Sequence, residues 1–393
     1  MTLGAMTDLD VMIIGGGIGG LALAQGLRRA GITTHVYERT HERTDWLQGY
    51  RIHISPAGAR ALRDCLGPEG WQAFLDTAAP GGGFGFLDDR GRELLAFTEE
   101  EIGDRHFGIS RTGLREVLLR GPLHTGKTFV GYEETGDHVT ARFADGSTAT
   151  AGLLIGADGA NSRVRAQLLP HAHRVDTGVV AVAGRYPLSA GALPPALTGR
   201  AALVVPRGHG SLFTAVSEPD GYVLWGFSDA TTRFPDGADK LAGPRLQQLV
   251  AERIRSWSPG FRRLVDGSDP ATINAFRVRS ASPVDPWPTR RVTLLGDAIH
   301  NMTPMAGVGA NTALRDADLL RRKLIGEQPL LDAVAEYERE MLGYGFAAVR
   351  LSLRNARSVA TSTRLSRAGF RGVLRLTNAV PPLRLRMARG LGR

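Results

Sequence analysis

Three glycines at positions 15, 17 and 20 and a glutamate at position 38 carry the first chemical signal in this sequence. The stretch VMIIGGGIGGLALAQGLRRAGITTHVYE, residues 11–38, satisfies G-x-G-x-x-G. In such a loop Gly15 permits a tight turn, Gly17 lets a pyrophosphate approach the backbone, and Gly20 lets a helix pack closely on its strand. Glu38 is placed to accept hydrogen bonds from a ribose diol, and its charge repels a 2′-phosphate. The chemistry expected is a tightly held FAD or NAD rather than NADP. Arg39, directly after the acid, is a further cofactor-binding candidate.

The elements that must position these residues are legible around them. Val11 to Ile14 form a continuous apolar run, as a strand buried on both faces requires. Leu21, Ala24, Leu27 and Arg28 continue at helical spacing to Gly31, a C-cap, and Thr33 to Tyr37 read as a second strand. Strand, helix, second strand and terminal acid in register predict a βαβ dinucleotide-binding unit.

A rival nucleotide signal lies at GPLHTGKT, residues 121–128, which fits G-x-x-x-x-G-K-[ST]. That loop cradles phosphate only where a strand enters and a helix leaves. Here Leu114, Val117 and Leu118 predict a helix entering, and Thr128 to Tyr132 predict a strand leaving. The order is reversed, so the stretch reads as a polar turn containing a chance lysine.

Two more glycine–acid clusters follow apolar strands. LLIGADGANSRVR places Asp158-Gly159, Ser162 and Arg165 after Leu153 to Ile155. RVTLLGDAIHNMTPMAGVGANTALRDADLLRRKL places Gly296-Asp297 after Val292 to Leu295. Gly307 and Gly309 bend the chain before a helix that begins near Asn311 and continues through Leu314, Ala317 and Leu320. Carboxyl ends of parallel strands are where open α/β sheets bind ligands, and the following helix N-terminus favours an electron-rich ring. His300, three residues after Asp297, is expected to make a structural hydrogen bond rather than to act as a base.

With 393 residues, 42% apolar and 22% charged, the chain is globular and long enough for two or three domains. One cysteine, Cys65, excludes an internal disulfide, and no zinc-ligand spacing is present. Neither a signal peptide nor an apolar run of ~20 residues is found, so a cytoplasmic, soluble protein is expected. The net charge of +9 is confined to the C-terminal segment. Residues 350–393 hold eleven arginines and no acidic residue, leaving 37 basic against 39 acidic residues elsewhere, about −2. No nucleic-acid partner is expected from that distribution.

Taken in order, GGGIGG with Glu38, GADGANSRVR and GDAIHNMTPMAGVGANTALRDA resemble the motifs of the single-component FAD-dependent aromatic hydroxylases, the para-hydroxybenzoate hydroxylase type. The resemblance extends along the chain up to its C-terminal segment. It implies an α/β fold: a Rossmann-like FAD-binding domain, an inserted β-rich substrate domain and a C-terminal helical segment. The FAD domain would comprise residues 1–72, 101–172 and 280–345, the substrate domain 73–100 and 173–279, and the basic helical segment 346–393.

By the same resemblance, Asp158 belongs to a motif that handles FAD and nicotinamide, and Asp297 binds the ribityl chain. Gly307, Gly309, Ala310 and Asn311 lie against the flavin ring, and Arg111, in SRTGLREVL, contacts the cofactor. Two departures stand out. Arg51, in GYRIHIS, occupies a position where family members often carry a small residue, and the usual Gly-Asp-Ala-Ala-His is GDAIH.

The family's chemistry would use non-covalent FAD, transient NADPH or NADH, and O2. Reduced FAD would form a C4a-hydroperoxide whose distal oxygen passes to an aromatic or polycyclic phenolic small molecule. No nucleophile–base triad presents itself, and this chemistry requires none. Epoxidation, Baeyer–Villiger insertion, an NAD-dependent dehydrogenase and a non-catalytic flavin-binding protein are the alternatives. The W-x-W-x-I-P signature of flavin halogenases is missing. A monomer or homodimer is expected.

Between Val175 and Phe276, short β-rich segments separated by Gly/Pro turns predict an antiparallel sheet walling a cavity. Pro283, Pro286 and Pro288 deny regular structure to the return link. Substrate-side candidates are Arg51 and His53, which share a face of one strand and have a solvent-facing placement as the alternative, and Arg185, Phe213 and Trp225 on the sheet, for each of which ordinary core or surface packing is the favoured reading. The intervals between arginines 350, 354, 357, 364, 367, 371 and 375 put most of them along one helical stripe. The reading favoured is a helix packed against the FAD domain; contact with a membrane or an acidic partner is the disfavoured alternative, and Gly369 and Gly372 weigh against the membrane.

Overall fold

The computed structural model describes residues 9–40 and 50–391. At its centre a five-stranded parallel sheet runs in the order Val292–Leu294, Leu153–Gly156, Asp10–Ile14, Thr33–Tyr37, Leu123–His124. Chain order proceeds outward in both directions from Asp10–Ile14, so the topological switch lies between that strand and Leu153–Gly156. The turns after Ile14, Gly156 and Leu294 therefore open at one edge, where such sheets bind ligands. Val11, Ile13, Leu153, Leu154 and Ile155 are fully buried, which is why these strands read as unbroken apolar runs.

The helix Ile18–Arg29 follows the first turn and ends in a Schellman motif. Gly31, at φ +82°, donates to Arg28 O at 3.0 Å, and Ile32 donates to Leu27 O at 3.0 Å. Ser110 caps the helix Arg111–Leu118 by accepting from Gly113 N at 3.0 Å.

A seven-stranded sheet takes the order Asn274–Ala281, Arg174–Pro187, Tyr222–Ala230, Ser211–Ser217, Ala201–Val204, Phe84–Leu87, Glu93–Phe97. Only the Ala201–Val204/Phe84–Leu87 pair is parallel among these. One face buries Val182, Trp225 and Phe227 under the helices Gly243–Arg253 and Pro259–Asp266. The other packs Val179 and Ala181 against Ala356 of the long helix Leu330–Thr361. A small three-stranded sheet joins Arg51–Ile54, Phe107–Ser110 and Ala79–Pro80. The triple-proline link, residues 282–291, has no helix or strand.

Three expectations are revised. The stretch 121–128 is more than a turn: Leu123–His124 forms the sheet's edge strand beside Val36 and Tyr37. Lys127 is held by Asp145 Oδ2 at 2.6 Å and Ser147 Oγ at 2.8 Å, because the chain reverses there into a β-meander. The helix Leu330–Thr361 runs unbroken through residues 345 and 346. Finally, the arginine stripe is split, because Thr363 and Ser366 form a capping box that starts a new helix, Arg364–Ala379. That helix lies against the Glu93–Phe97 edge of the seven-stranded sheet, not against the parallel sheet.

Candidate functional site

The glycine loop is built for a close ligand. Gly15 sits at φ +113°, and a Cβ there would lie 2.4 Å from Ala157 O; one on Gly20 would lie 2.4 Å from Gly15 O. At Gly17 the nearest neighbour of a Cβ is Ala157 O, 4.0 Å away, so the backbone face is open. Glu38 is 2% exposed; its Oε2 accepts from Gly16 N at 2.8 Å and its Oε1 from Thr40 Oγ1 at 2.9 Å. The acid therefore braces the loop as well as facing the nucleotide position. Arg39 is exposed beyond it.

Arg115, not anticipated from sequence, donates from Nε to Gly16 O at 3.4 Å. It stands one helical turn after Arg111, so both fall on the helix face turned to the loop. That i, i+4 spacing in SRTGLREVL was the signal that could have found it. Arg111 itself begins the helix, and its N–H donates to Tyr50 O at 3.1 Å.

The second and third motifs are physically joined. Arg165 is buried and donates to Ala160 O at 3.0 Å and to Ala298 O at 2.7 Å. Asp158 Oδ2 accepts from Arg163 N at 2.8 Å, whereas its buried Oδ1 has no hydrogen-bond partner among the described residues. Burial raises the Asp158 carboxyl above its ordinary range against the pull of those bonds. Asp297 begins the short helix Asp297–His300 after Gly296 and is exposed. His300 is fully buried, with Nε2 2.6 Å from Asp316 Oδ2, the same oxygen that accepts from Gly296 N at 2.7 Å.

The helix Gly309–Leu324 starts two residues before the expected Asn311. Its first-turn N–H groups have no intrahelical acceptor, and Val308 offers no side-chain cap. The positive end of the helix thus faces the sheet edge beside Gly307, where a Cβ would meet nothing within 4 Å. The Asn311 side chain is occupied elsewhere, since its Oδ1 accepts from Ser55 N at 2.8 Å and its Nδ2 donates to His53 O at 2.9 Å. The long helix braces the approach to this turn through Ser352 O, which accepts from Thr303 Oγ1 at 2.9 Å, and Asn355 Nδ2, which donates to Met305 O at 3.0 Å.

Arg51 and His53 lie on the strand that Asn311 secures. The Arg51 guanidinium folds over Gly108, leaving no room for a Cβ there, and donates to Gly81 O at 2.8 Å. His53 Nε2 is 2.8 Å from His106 Nδ1. Arg185 is stacked between Tyr50 and Tyr222, 5.1 and 4.9 Å from their ring centroids, bridging the strand region to the large sheet. Phe213 is 37% exposed and paired with Gly226, above which a Cβ would meet nothing within 4 Å. The row Phe213–Gly226–Ala183 thus forms a shallow floor.

Trp225 does not belong to that floor. One residue from Gly226, it points to the opposite face, is fully buried, and donates from Nε1 to Ser268 Oγ at 2.7 Å. It is a core residue of the distal layer. The structure therefore gathers the three motifs at one sheet edge, with Arg51, His53, Arg185 and Phe213 nearby, and sets Trp225 apart.

This edge fits a flavin dinucleotide: an open glycine backbone, a buried acid at the second strand's end, an exposed Asp297 and an uncapped helix N-terminus. A family model described as a FAD binding domain matches residues 8–330. The dual O-methyltransferase/FAD-dependent monooxygenase elcB of Phaeosphaeria nodorum is 33% identical over 79% of this chain, which spans 39% of that protein's length. The FAD-dependent urate hydroxylase of Mycolicibacterium vanbaalenii is 31% identical, over 80% of this chain and 79% of that one. Klebsiella pneumoniae HpxO, solved with FAD and uric acid, superposes with a TM-score of 0.83 at 26% identity. That match covers 98% of this chain and 96% of HpxO.

Proposed function

The chain belongs to the FAD-dependent aromatic hydroxylase family, and from that premise we propose that it is a monooxygenase acting on an electron-rich aromatic or polycyclic phenolic small molecule. The overall conversion is Ar–H + NAD(P)H + H+ + O2 → Ar–OH + NAD(P)+ + H2O. When bound, FAD supplies the redox and oxygen-activating chemistry. The observation that carries this reading is the convergence of Gly15–Gly20, Asp158 and Asp297 at one edge of the parallel sheet.

The chain's residues divide the remaining work. The open backbone at Gly17 takes the pyrophosphate, Glu38 the adenosine ribose, and the exposed Asp297 the ribityl hydroxyls. The first-turn N–H groups of Gly309, Ala310 and Asn311 stabilise negative charge on the ring system. Residues 1–72, 101–172 and 280 onward into the helix Leu330–Thr361 serve the cofactor, and 73–100 and 173–279 the substrate. Phe213 and the hollow over Gly226 offer an apolar surface to a flat ring, while Arg185 closes one end. NADH or NADPH binds transiently. The relatives' names, which include urate hydroxylases, favour a ring rich in hydroxyl or keto groups.

The test is a purified protein absorbing near ~450 nm, as bound oxidised flavin does, assayed with phenols, salicylates, polycyclic phenols and urate. NAD(P)H oxidation stimulated by a substrate, with a product one oxygen heavier in stoichiometric yield, supports the reading. A protein that stays colourless after reconstitution with FAD overturns it.

A further inference from the structure

The helix Arg364–Ala379 is amphipathic in an inverted sense. Its inward stripe is Arg367, Arg371, Leu374 and Thr377, all buried. Arg367 donates to Gly210 O, and Arg371 pairs with Asp88 at 3.2 Å and Asp89 at 3.1 Å while donating to Val205 O at 3.1 Å. Its outward stripe is apolar: Leu365 is 84% exposed, Val373 57% and Leu376 59%. The following helix, Pro381–Leu391, adds exposed Leu383 and Leu385. Water selects the opposite arrangement, and exposed apolar side chains gathered on the outward side of two successive helices mark a surface that something covers.

Charge identifies what covers it. Positions 364, 368, 371 and 375 form a helical ridge one residue round from the outward stripe, on which Leu365 and Leu376 flank Gly369 and Gly372. With Arg207 and Gly208, that ridge lines a cleft of about 460 Å³. Arg207, Arg364 and Arg375 make no ion pair among the described residues. Residues 350–393 hold eleven arginines and no acid. A second copy docked two-fold on this face would set the same arginines against each other. A nucleic acid would neutralise the arginines and leave the leucines in water. A surface of anionic phospholipid satisfies both, taking phosphates into the cleft and side chains into the acyl boundary.

We propose that the C-terminal helix pair is a docking surface for an anionic phospholipid membrane, on which the protein lies without crossing. No helix among the described residues is long and apolar enough to span one. Arg367 and Arg371 fasten the helix to the body and leave its apolar side chains outward. The proposal is independent of the monooxygenase reading.

The test is flotation of the purified protein, residues 1–393, with vesicles of phosphatidylcholine alone and of phosphatidylcholine mixed with phosphatidylglycerol. Binding is expected only to the mixed vesicles. At about five-fold per cation, Arg364→Gln with Arg375→Gln should weaken it roughly thirty-fold. Leu365→Asp with Leu376→Asp should abolish it. Both pairs are exposed, so the melting temperature and any enzymatic turnover should be unchanged. Failure to float with the mixed vesicles overturns the proposal. So does flotation that survives the leucine substitutions, which would be charge adsorption alone. A light-scattering dimer that those substitutions dissociate overturns it in favour of self-association.

Discussion

His53 Nε2 lies 2.8 Å from His106 Nδ1, with the two imidazoles stacked 4.9 Å apart. Burial, then the neighbouring His106 and Arg51, push the His53 pKa down to about 4. Burial lowers His106 as well, against the opposing charges of Glu99 and Asp104. Both rings are therefore neutral near pH 7, and the bond between them is a neutral N–H···N contact that can hold its proton on either ring. It connects the strand beside the proposed flavin site to the acidic turn around Glu99 and Asp104.

A stability consequence follows from the depressed His53 pKa. The unfolded ring binds a proton below about 6.5 and the folded ring only below about 4, so stability falls as pH drops through that window and then levels. The contribution is at most about 3 kcal/mol. Urea midpoints of the wild type should decline between pH 6.5 and 4, and His53→Gln should flatten the decline. If the pair also relays a proton from a substrate hydroxyl, His53→Gln should lower kcat by roughly ten- to a hundredfold and leave flavin absorbance intact. An unchanged kcat pH profile would restrict the pair to packing.

Gly15 and Gly17 should fail differently. Gly15→Ala puts a Cβ 2.4 Å from Ala157 O on a backbone at φ +113°, so expression as a folded protein should drop sharply. Gly17 has extended backbone, φ −81° and ψ −179°, and protein-free space around a Cβ. Gly17→Ala should fold with near-native far-UV circular dichroism yet retain FAD at least tenfold more weakly, because only the pyrophosphate is obstructed. Equal flavin content in Gly17→Ala and wild type would refute the assignment of that face to the cofactor.

The parts of the fold visible in the sequence are those encoded locally. Val11 to Ile14 and Leu153–Gly156 lie in buried parallel strands, and burial on both faces writes itself as a run of apolar residues. The glycine positions were legible because their geometry admits few other residues. What escaped depends on contacts across the chain. Asn311 reaches His53 and Ser55, 258 and 256 residues away, and no spacing rule encodes that. Trp225 was misplaced because its strand, YVLWGFSDA, carries apolar residues on both faces. Alternation then separates two faces without saying which one turns to the ligand. The arginine stripe looked continuous because its intervals ignore Ser362 and Thr363, although the Thr363–Ser366 capping box was readable locally.

Asn311 offers a test of whether the clamp matters beyond folding. Asn311→Ala leaves Ser55 N–H and His53 C=O without their acceptor and donor, costing about 2 kcal/mol. The melting temperature should fall by several degrees. In the proposed reaction, the strand carrying His53 would loosen beside the flavin, so NAD(P)H oxidation should outlast product formation and peroxide should accumulate. Asn311→Asp keeps the acceptor for Ser55 N–H and should lie between the two. Full coupling in Asn311→Ala would confine the clamp to stability.

Asp316 supports the Gly296–Asp297 turn from behind. Its Oδ2 accepts from Gly296 N and contacts His300 Nε2, and its Oδ1 accepts from Tyr344 Oη at 2.6 Å, all around a fully buried carboxyl. Burial drives the His300 pKa down, but the charge and hydrogen bond of Asp316 more than offset it, and the net shift is upward. A raised folded pKa contributes stability that is complete below about 6.5 and is lost as pH rises through the folded value. That slope is opposite in sign to the one from His53. Asp316→Asn should cost about 3–5 kcal/mol, since it breaks a buried pair and loosens three donors at once. It should also erase the alkaline decline attributable to His300 and speed FAD release, because Gly296 N–H is no longer pinned. In a cycle with His300→Gln the two losses should be strongly sub-additive. Wild-type melting temperatures for Asp316→Asn at both pH 6 and pH 8 would remove Asp316 from the support of the site.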